Sequence, residues 1–328
     1  ALVVGYQSNG GFPVNVGAWQ SALAGMTDVV IIKMDPNGNR AWATYYGGSS
    51  SETGYGIASD ASNNVVISGN TRSVDFPLGG NTFQSAFAGG TFDDAFIVKF
   101  TSGGILSWAT YYGGTDDDSG NSIAVDAADN IIMTGTTNSN NFPVVGAYQG
   151  ASGGGLDAFI VKFNSGGVRQ WATYMGGAAG LQEYVTGLAC DSYNNLIVSG
   201  DTYCSDFPVT TCAYQTTWAP SECQFFAVFY SNGNRLCSGM LGISGGGDKE
   251  TFEGLGGSLA LHGCHLFMNA MSNCAYPVFG NAFQSTCGGQ IDLSVSKLFI
   301  YNCGGRSQNI PDFSSRTTVC KNDPVIFT

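Results

Sequence analysis

The densest group of chemically versatile side chains is the run Asp116, Asp117 and Asp118, which Ser119 and Asn121 follow closely. Hard oxygen ligands placed this near to one another could hold a structural Ca²⁺ ion, with Asp116 and Asp118 as its carboxylates. The run lacks the alternating spacing of a Ca²⁺ loop, and the corresponding segments elsewhere in the chain read SSSETG and GGDKETFEG. This comparison favours a solvated acidic loop, and no other cofactor is predicted.

Glycan hydrolysis is a second possible chemistry, because it needs only two carboxylates acting as acid and base. The aspartate run could supply such a pair together with Asp248, Glu250 and Glu253. Trp218 could stack on a sugar ring, although a tryptophan can equally fill a gap between packed sheets. No catalytic residue is assigned, and the candidate ligand-contacting residues are Asp116, Asp117, Asp118, Trp218, Glu250 and Glu253.

His262 and His265 flank Cys264 and are the two histidines of the chain. Zinc accepts these ligand types, but no second ligand pair is evident in the sequence. Two histidines in one short segment also leave a Ser–His–Asp triad without support. We therefore predict neither a metal centre nor a triad hydrolase.

These candidate residues are carried by a repeating unit of about 65 residues. The heptapeptide DAFIVKF and the heptapeptide WATYYGG each occur twice, in the same relative order. The spacing between successive Phe-Pro or Tyr-Pro dipeptides is 64, 66, 65 and 69 residues, with copies beginning at Phe12, Phe76, Phe142, Phe207 and Tyr276. A period of this size, built from short apolar runs, indicates an array of identical supersecondary units.

Each unit contains four runs with strand-like alternation, bounded by Gly, Asn, Asp or Ser, which predicts an all-β fold. The first run of a unit, such as GIASD, has small residues that suit the crowded axis of a ring, whereas the last carries Trp and two Tyr. The sequence therefore predicts a β-propeller of four-stranded blades with about five repeats. The first blade lacks an inner strand, because Leu2–Ser8 corresponds to a second strand.

The long segments join the second strand of a blade to the third and one blade to the next. They share one end of the propeller, the loop-rich face, where we expect any binding surface. Residues that recur in every blade are better explained by the blade than by a single site, and the recurring acids are expected to cap turns. The recurring residues are Lys33, Lys99, Lys162 and Lys297, with Asp60, Asp126 and Asp191.

Composition narrows the partners and the compartment. A net charge of -12 that includes only 12 Lys and Arg speaks against nucleic-acid binding. No run approaches the roughly 20 apolar residues of a membrane helix, so membrane insertion is not predicted. An even number of cysteines without zinc spacing favours disulfides and an oxidising, extracellular setting. The disulfide candidates are Cys190, Cys204, Cys212, Cys223, Cys237, Cys264, Cys274, Cys287, Cys303 and Cys320.

The combination FIVKFNSGG, WATYYGG, GAYQ and Phe-Pro, together with inner and second strands of the form IAVD and NIIMTGTT, resembles the SBBP-type β-propeller repeat. The resemblance covers residues 1 to about 302 and implies a secreted or surface-anchored bacterial protein of the Bacteroidota kind, exported in many cases by the type IX route. It implies a scaffold or adhesion role and no catalytic residues. The tail, residues 314–328, resembles the opening of a PKD- or Ig-like domain.

The predicted organisation is a propeller over residues 1–313, with units at about 1–48, 49–113, 114–177, 178–242 and 243–313. Residues 314–328 are a linker or a closing strand. Three functions remain open: an extracellular structural or adhesive module that binds protein or glycan, a filament subunit assembled head-to-tail by strand complementation, and a polysaccharide-active enzyme. The repeat regularity and low charge favour the first.

Overall fold

The computed structural model describes residues 1–15, 17–210, 223–241, 259–262, 265–272 and 292–299. Within these ranges every regular element is a β-strand, and each is numbered here in chain order. The strands are β1 Leu2–Gln7, β2 Asp28–Met34, β3 Arg40–Tyr46, β4 Glu52–Ser59, β5 Val65–Thr71, β6 Asp94–Phe100, β7 Leu106–Tyr112, β8 Asp118–Val125, β9 Ile131–Thr137, β10 Asp157–Phe163, β11 Arg169–Met175, β12 Glu183–Cys190, β13 Leu196–Thr202, β14 Cys223–Phe229, β15 Arg235–Leu241, β16 Leu259–His262, β17 His265–Ser272 and β18 Asp292–Phe299.

The strands form five antiparallel sheets, and each sheet is one blade. Three sheets are four-stranded, with the orders β4-β5-β6-β7, β8-β9-β10-β11 and β12-β13-β14-β15. In the described residues the first sheet is β1-β2-β3 and the fifth is β16-β17-β18. The all-β propeller predicted from the sequence is confirmed, and among the described residues the first blade begins with a second strand, as predicted.

The small-residue strands lie innermost, as their composition predicts. β4 contacts β1 on one side and β8 on the other, β8 also contacts β12, and β12 contacts β16. The third strands β6 and β10 are buried at every position because neighbouring sheets cover both of their faces. A strand that is covered on both faces carries apolar residues at consecutive positions, whereas a half-buried strand alternates apolar and polar residues.

The hydrophobic core lies between successive blades, and the Phe-Pro anchor forms part of it. Phe76 is 3% exposed, and its ring centroid lies 5.1 Å from Tyr46 of the preceding blade and 4.8 Å from Phe96 of its own. Its main-chain N–H donates to the hydroxyl of Tyr111, at 3.0 Å. The repeated dipeptide on the loop-rich face is therefore a packing wedge rather than a ligand contact.

A second repeated contact fastens each blade to the next, and we call it the blade clasp. Lys99 Nζ and Trp108 Nε1 both donate to the carbonyl oxygen of Ser165 in the following blade, at 3.1 and 3.2 Å. The neighbouring Gly167 has a φ of 84° and would place a Cβ 3.0 Å from the Trp108 ring. Glycine is required at this position for two reasons: the backbone is in the left-handed region, and a side chain would collide with the Trp108 ring.

Candidate functional site

The three aspartates of the predicted acidic loop have different environments. Asp118 is the first residue of β8 and is 0% exposed; its Oδ2 accepts hydrogen bonds from Gly114 N at 2.6 Å and Ser139 Oγ at 2.9 Å. Glu52 and Glu183 occupy the same place in the neighbouring blades. The prediction that Asp118 contacts ligand at the surface is therefore wrong, because the position is a buried junction between blades.

Asp117 remains at the surface but is held by the adjacent blade. Its Oδ1 accepts the main-chain N–H of Asp93 at 3.1 Å. Asp93 in turn forms an ion pair with Arg72 and accepts a 2.6 Å hydrogen bond from Asn70 Nδ2. Asp116 is half-buried and only its main-chain N–H makes a hydrogen bond, to Ser139 Oγ. Asp116 and Asp118 thus have different environments, one half-buried and the other fully buried.

Two exposed tyrosines lie beside this acidic group and a third is exposed on β12, and sequence reasoning missed all three. Tyr6 is 59% exposed on β1, Tyr55 48% on β4 and Tyr184 36% on β12. Burial, followed by the charge of Asp93 and the neighbouring Tyr6, raises the pKa of Tyr55, so these groups are close in space. The sequence does contain a sign of Tyr55, because the repeat changes at this position: the equivalent residues of the next two blades are Asn121 and Thr186.

The acids that recur in each blade cap turns, as predicted, and two of them do more. Asp126 accepts the main-chain N–H groups of Ala128 and Asn130 at 2.9 Å and lies 2.8 Å from Lys162 Nζ. Burial raises the pKa of Asp126, but Lys162 and Asn130 outweigh burial, so the pKa is lowered overall. Asp60 and Lys99 form the same pair at 2.8 Å, whereas Val228 stands at the lysine position of the fourth blade.

Two of the disulfide candidates carry free thiols in the structure, and for them the prediction is corrected. Cys204 is buried, and its main-chain N–H donates to Thr202 Oγ1 just as Ser139 donates to Thr137 Oγ1, so the cysteine stands in for a buried serine. Burial and the neighbouring Glu183 raise the pKa of Cys204 to about 12. Burial likewise raises the pKa of Cys190 to about 12. Such thiols are poor nucleophiles at neutral pH.

The remaining predicted site residues are two buried cysteines and several residues outside the described ranges. Cys223 and Cys237 are buried on β14 and β15. Outside the described residues lie Trp218, Glu250, Glu253, Cys212, Cys264, Cys274, Cys287, Cys303 and Cys320, together with residues 314–328. In the described part of the chain, no three or more His, Cys, Asp or Glu side chains converge as metal ligands. The same part has no helix of the length and apolar character that a bilayer crossing requires.

The opposite end of the blades, formed by the short hairpins, is not uniformly flat. A depression of about 530 Å³ lies between the third and fourth blades, with Asn130, Asn194, Trp171, Ser231 and Asn232 among its lining residues. Its charged groups, Lys162 and Asp126, are paired with each other and nearly fully buried. This depression therefore offers amides and an indole edge, but no unpaired charge.

One short segment has the spacing of a serine nucleophile elbow. Gly150, Ser152 and Gly154 follow the G-x-S-x-G pattern, which in hydrolases presents an exposed serine on a strand-to-helix turn. Here the Ser152 hydroxyl donates to Asp157 Oδ2 at 2.6 Å and accepts from Gly154 N. The serine is a loop cap that lies between two strands, so the pattern does not mark a nucleophile.

The stacked four-stranded sheets, with small inner strands and blade clasps, define a β-propeller repeat protein. Residues 107–143 match the family model described as the SBBP beta-propeller repeat. The chain is also 30% identical over 118 residues to an uncharacterised WD repeat-containing protein, L264, of Acanthamoeba polyphaga mimivirus. That alignment covers 35% of this chain and 8% of the viral protein, so the chain spans a small part of the relative's length.

Proposed function

We propose that this protein is a non-enzymatic, extracellular β-propeller module with a structural or adhesive role, and that it binds protein or glycan through the loop-rich face. The observation that carries the proposal is the exposed pair Tyr6 and Tyr55 beside Asp93, together with Tyr184, which is exposed separately on β12. Tyrosine combines a flat apolar ring with a hydroxyl, which suits sugar rings and protein surfaces alike. Asp93 lies next to Tyr55, and Asp117 contacts Asp93, so the place also carries negative charge.

The binding role is preferred over catalysis because the recurring polar groups are already engaged. The turn acids Asp60, Asp126 and Asp191 each accept main-chain hydrogen bonds in their own hairpin. Asp117, which a glycosidase would need as a free acid or base, accepts from the main chain of Asp93. The low content of Lys and Arg supports a partner other than nucleic acid.

A pair of matched tyrosine variants tests this proposal. Tyr55→Ala removes an exposed ring from the loop-rich face, whereas Tyr193→Ala removes a 62% exposed ring from a short hairpin at the opposite end. We expect the first variant to weaken binding to a glycan array or to immobilised surface proteins by about tenfold, the cost of one interface aromatic, and the second to leave it unchanged. Equal binding by both variants, or turnover of any polysaccharide on the array, would contradict the proposal.

The extracellular placement is part of the same proposal. The proposal is that the protein is secreted by a bacterium, by the type IX route, as a module of a larger surface protein. The SBBP match over residues 107–143 and the low charge support it. Protease shaving of intact source cells measures it directly. Peptides of this chain released from intact cells would support surface display, and peptides found only after lysis would refute it.

A second candidate function is that of a filament subunit, and the edge of the first blade favours it. Among the described residues, β1 pairs with β2 only, whereas in blades two to four an inner strand lies on that side of the second strand. A sheet edge is a template for a strand from another chain. Electron microscopy of concentrated protein checks this: filaments that disappear when residues 314–328 are removed would support strand exchange. A uniform monomer would exclude it.

A further inference from the structure

Pairs of fully buried carboxylates recur where one blade meets the next, and we call each place a junction pocket. One acid is the first residue of a third strand, and the other is the first residue of the next inner strand. The three pairs are Asp28 with Glu52, Asp94 with Asp118, and Asp157 with Glu183, and all six residues are 0% exposed. Two like charges buried side by side are costly unless another group compensates them.

The pocket between Asp157 and Glu183 shows two oxygens without a donor. Asp157 Oδ1 and Glu183 Oε2 are buried and accept no hydrogen bond. They lie 2.1 and 2.7 Å from the point where a Cβ on Gly176 would stand, so both point into the space that glycine leaves open. The two oxygens are therefore within about 5 Å of each other, the span covered by two ligands of one Ca²⁺ ion at about 2.3–2.6 Å each.

The remaining oxygens of this pair are saturated, which fixes both side chains in place. Asp157 Oδ2 accepts from Ser152 Oγ at 2.6 Å and Gly153 N at 2.8 Å. Glu183 Oε1 accepts from Thr202 Oγ1 at 2.9 Å and Gly177 N at 3.3 Å. Burial raises the pKa of both acids overall and outweighs these hydrogen bonds, which favour the charged form. Each acid thus presents one preorganised, uncompensated oxygen to the pocket.

The pocket between Asp94 and Asp118 repeats this arrangement in part. Asp94 Oδ1 and Asp118 Oδ1 are both buried without a donor. A Cβ on Gly113 would lie 2.9 Å from the free Asp94 Oδ1 and 2.6 Å from Asp118 Oδ2, the oxygen that Gly114 and Ser139 already occupy, so one free oxygen faces the space that glycine leaves open.

The first pocket differs and serves as an internal control. Asp28 accepts through both carboxylate oxygens, from Gly25 N on Oδ1 and from Ala24 N and Gln20 Nε2 on Oδ2. Glu52 likewise accepts through Oε1 and Oε2, from Thr71 Oγ1 and Gly48 N. No oxygen of this pair is left without a donor among the described residues, so nothing at this junction calls for an additional ligand.

We propose that the Asp94–Asp118 and Asp157–Glu183 pockets each bind one Ca²⁺ ion, which bridges neighbouring blades. One carboxylate oxygen comes from each blade, and water completes the shell. A hard divalent cation fits because every free ligand is a carboxylate oxygen. The site differs from a loop site at Asp116 and Asp118, and it does not depend on the binding partner proposed above.

Calorimetric titration of the full chain, after treatment with EDTA, tests the inference at pH 7.5. We expect two Ca²⁺ ions to bind per chain and the melting temperature to rise by about 5–10 °C at saturation. Glu183→Gln and Asp118→Asn should each remove one equivalent and about half of the shift. Two matched controls, Glu52→Gln in the saturated pocket and Asp116→Asn in the surface loop, should keep both equivalents.

Several outcomes would overturn the inference. An unchanged melting temperature with millimolar CaCl₂ or MgCl₂, compared with NaCl at equal ionic strength, would exclude a cation at the junctions. If the free energy of unfolding then rises as the pH falls from 7 to 5, the two acids of each pocket share a proton instead of a cation. Loss of Ca²⁺ binding in Asp116→Asn but not in Asp118→Asn would assign the ion to the surface loop.

Discussion

Removing the lysine of a blade clasp is the sharpest test of how the blades are held together. Lys162 is 3% exposed, donates to the Ser231 carbonyl at 3.2 Å and forms an ion pair with Asp126 at 2.8 Å. Lys162→Met keeps the apolar stem but leaves Asp126 buried and without its counter-ion. Removing one partner of a buried pair costs about 3–5 kcal/mol, because the remaining charge is uncompensated.

The chain supplies its own control for this change. Asp191 caps its hairpin as Asp126 does, through Tyr193 N and Asn195 N, but Val228 stands where the lysine would be. Asp191→Asn should therefore cost about 1 kcal/mol, the value of a weakened cap, and less than Asp126→Asn. The double variant Lys162→Met with Asp126→Asn should be more stable than the sum of the single effects predicts.

Urea unfolding followed by tryptophan fluorescence measures these differences. It also tests their pH dependence, because Lys162 and Asn130 hold the pKa of Asp126 below its ordinary value against the effect of burial. A lowered folded-state pKa contributes stability above about pH 4 that is lost as the pH falls through the folded value. Lys162→Met should show less of this acid-dependent loss than the parent. A cost below about 0.5 kcal/mol, or equal costs for Asp126→Asn and Asp191→Asn, would refute the reasoning.

Three further predictions use the same unfolding assay or simple chemistry. Tyr174→Phe should cost about 2–4 kcal/mol, because its hydroxyl serves two buried main-chain groups of the Phe-Pro segment; a neutral effect would exclude that anchor. Gly135→Ala should destabilise severely, since its Cβ would lie 1.8 Å from a main-chain oxygen, whereas Gly150→Ala, with nothing within 4 Å, should be neutral. Cys204 should react with iodoacetamide only after unfolding, and an intact disulfide at this residue in non-reduced peptide maps would contradict its assignment as a thiol.

The fold could be predicted from sequence because the repeat supplies the same information several times. Alternation at period two, glycine and asparagine turns, and the graded side-chain size from GIASD to WATYY each follow from local sterics. These patterns predicted the strand order within a blade and the second strand with which the first blade begins in the described residues. The Asp turn caps were also predictable, because an Asp side chain bonds to its own hairpin over two to four residues.

The site was predicted less well, because the sequence around a residue does not show which residues of the next blade pack against it. The sequence of Asp116, Asp117 and Asp118 predicts one acidic loop. In the structure, β8 begins at Asp118, and its side chain is buried between two blades, whereas its two neighbours are half-buried. The even number of cysteines suggested disulfides. Cys204 instead replaces a buried serine in a hydrogen-bond network that also includes Thr202, Glu183 and Gly177. Contacts between a strand and a loop about 21 positions away, Asp118 with Ser139 and Glu183 with Cys204, decide both outcomes.

By itself, the sequence determined the strands, their order within a blade and the turn chemistry, since all of these rest on residues near one another along the chain. Only the tertiary structure brought Asp157 to Glu183 across Gly176, and Lys162 to a carbonyl of the following blade. Those pairings are set by the stacking of one twisted sheet on the next. Burial then decides which acids can be charged and which side chains are left to meet a partner.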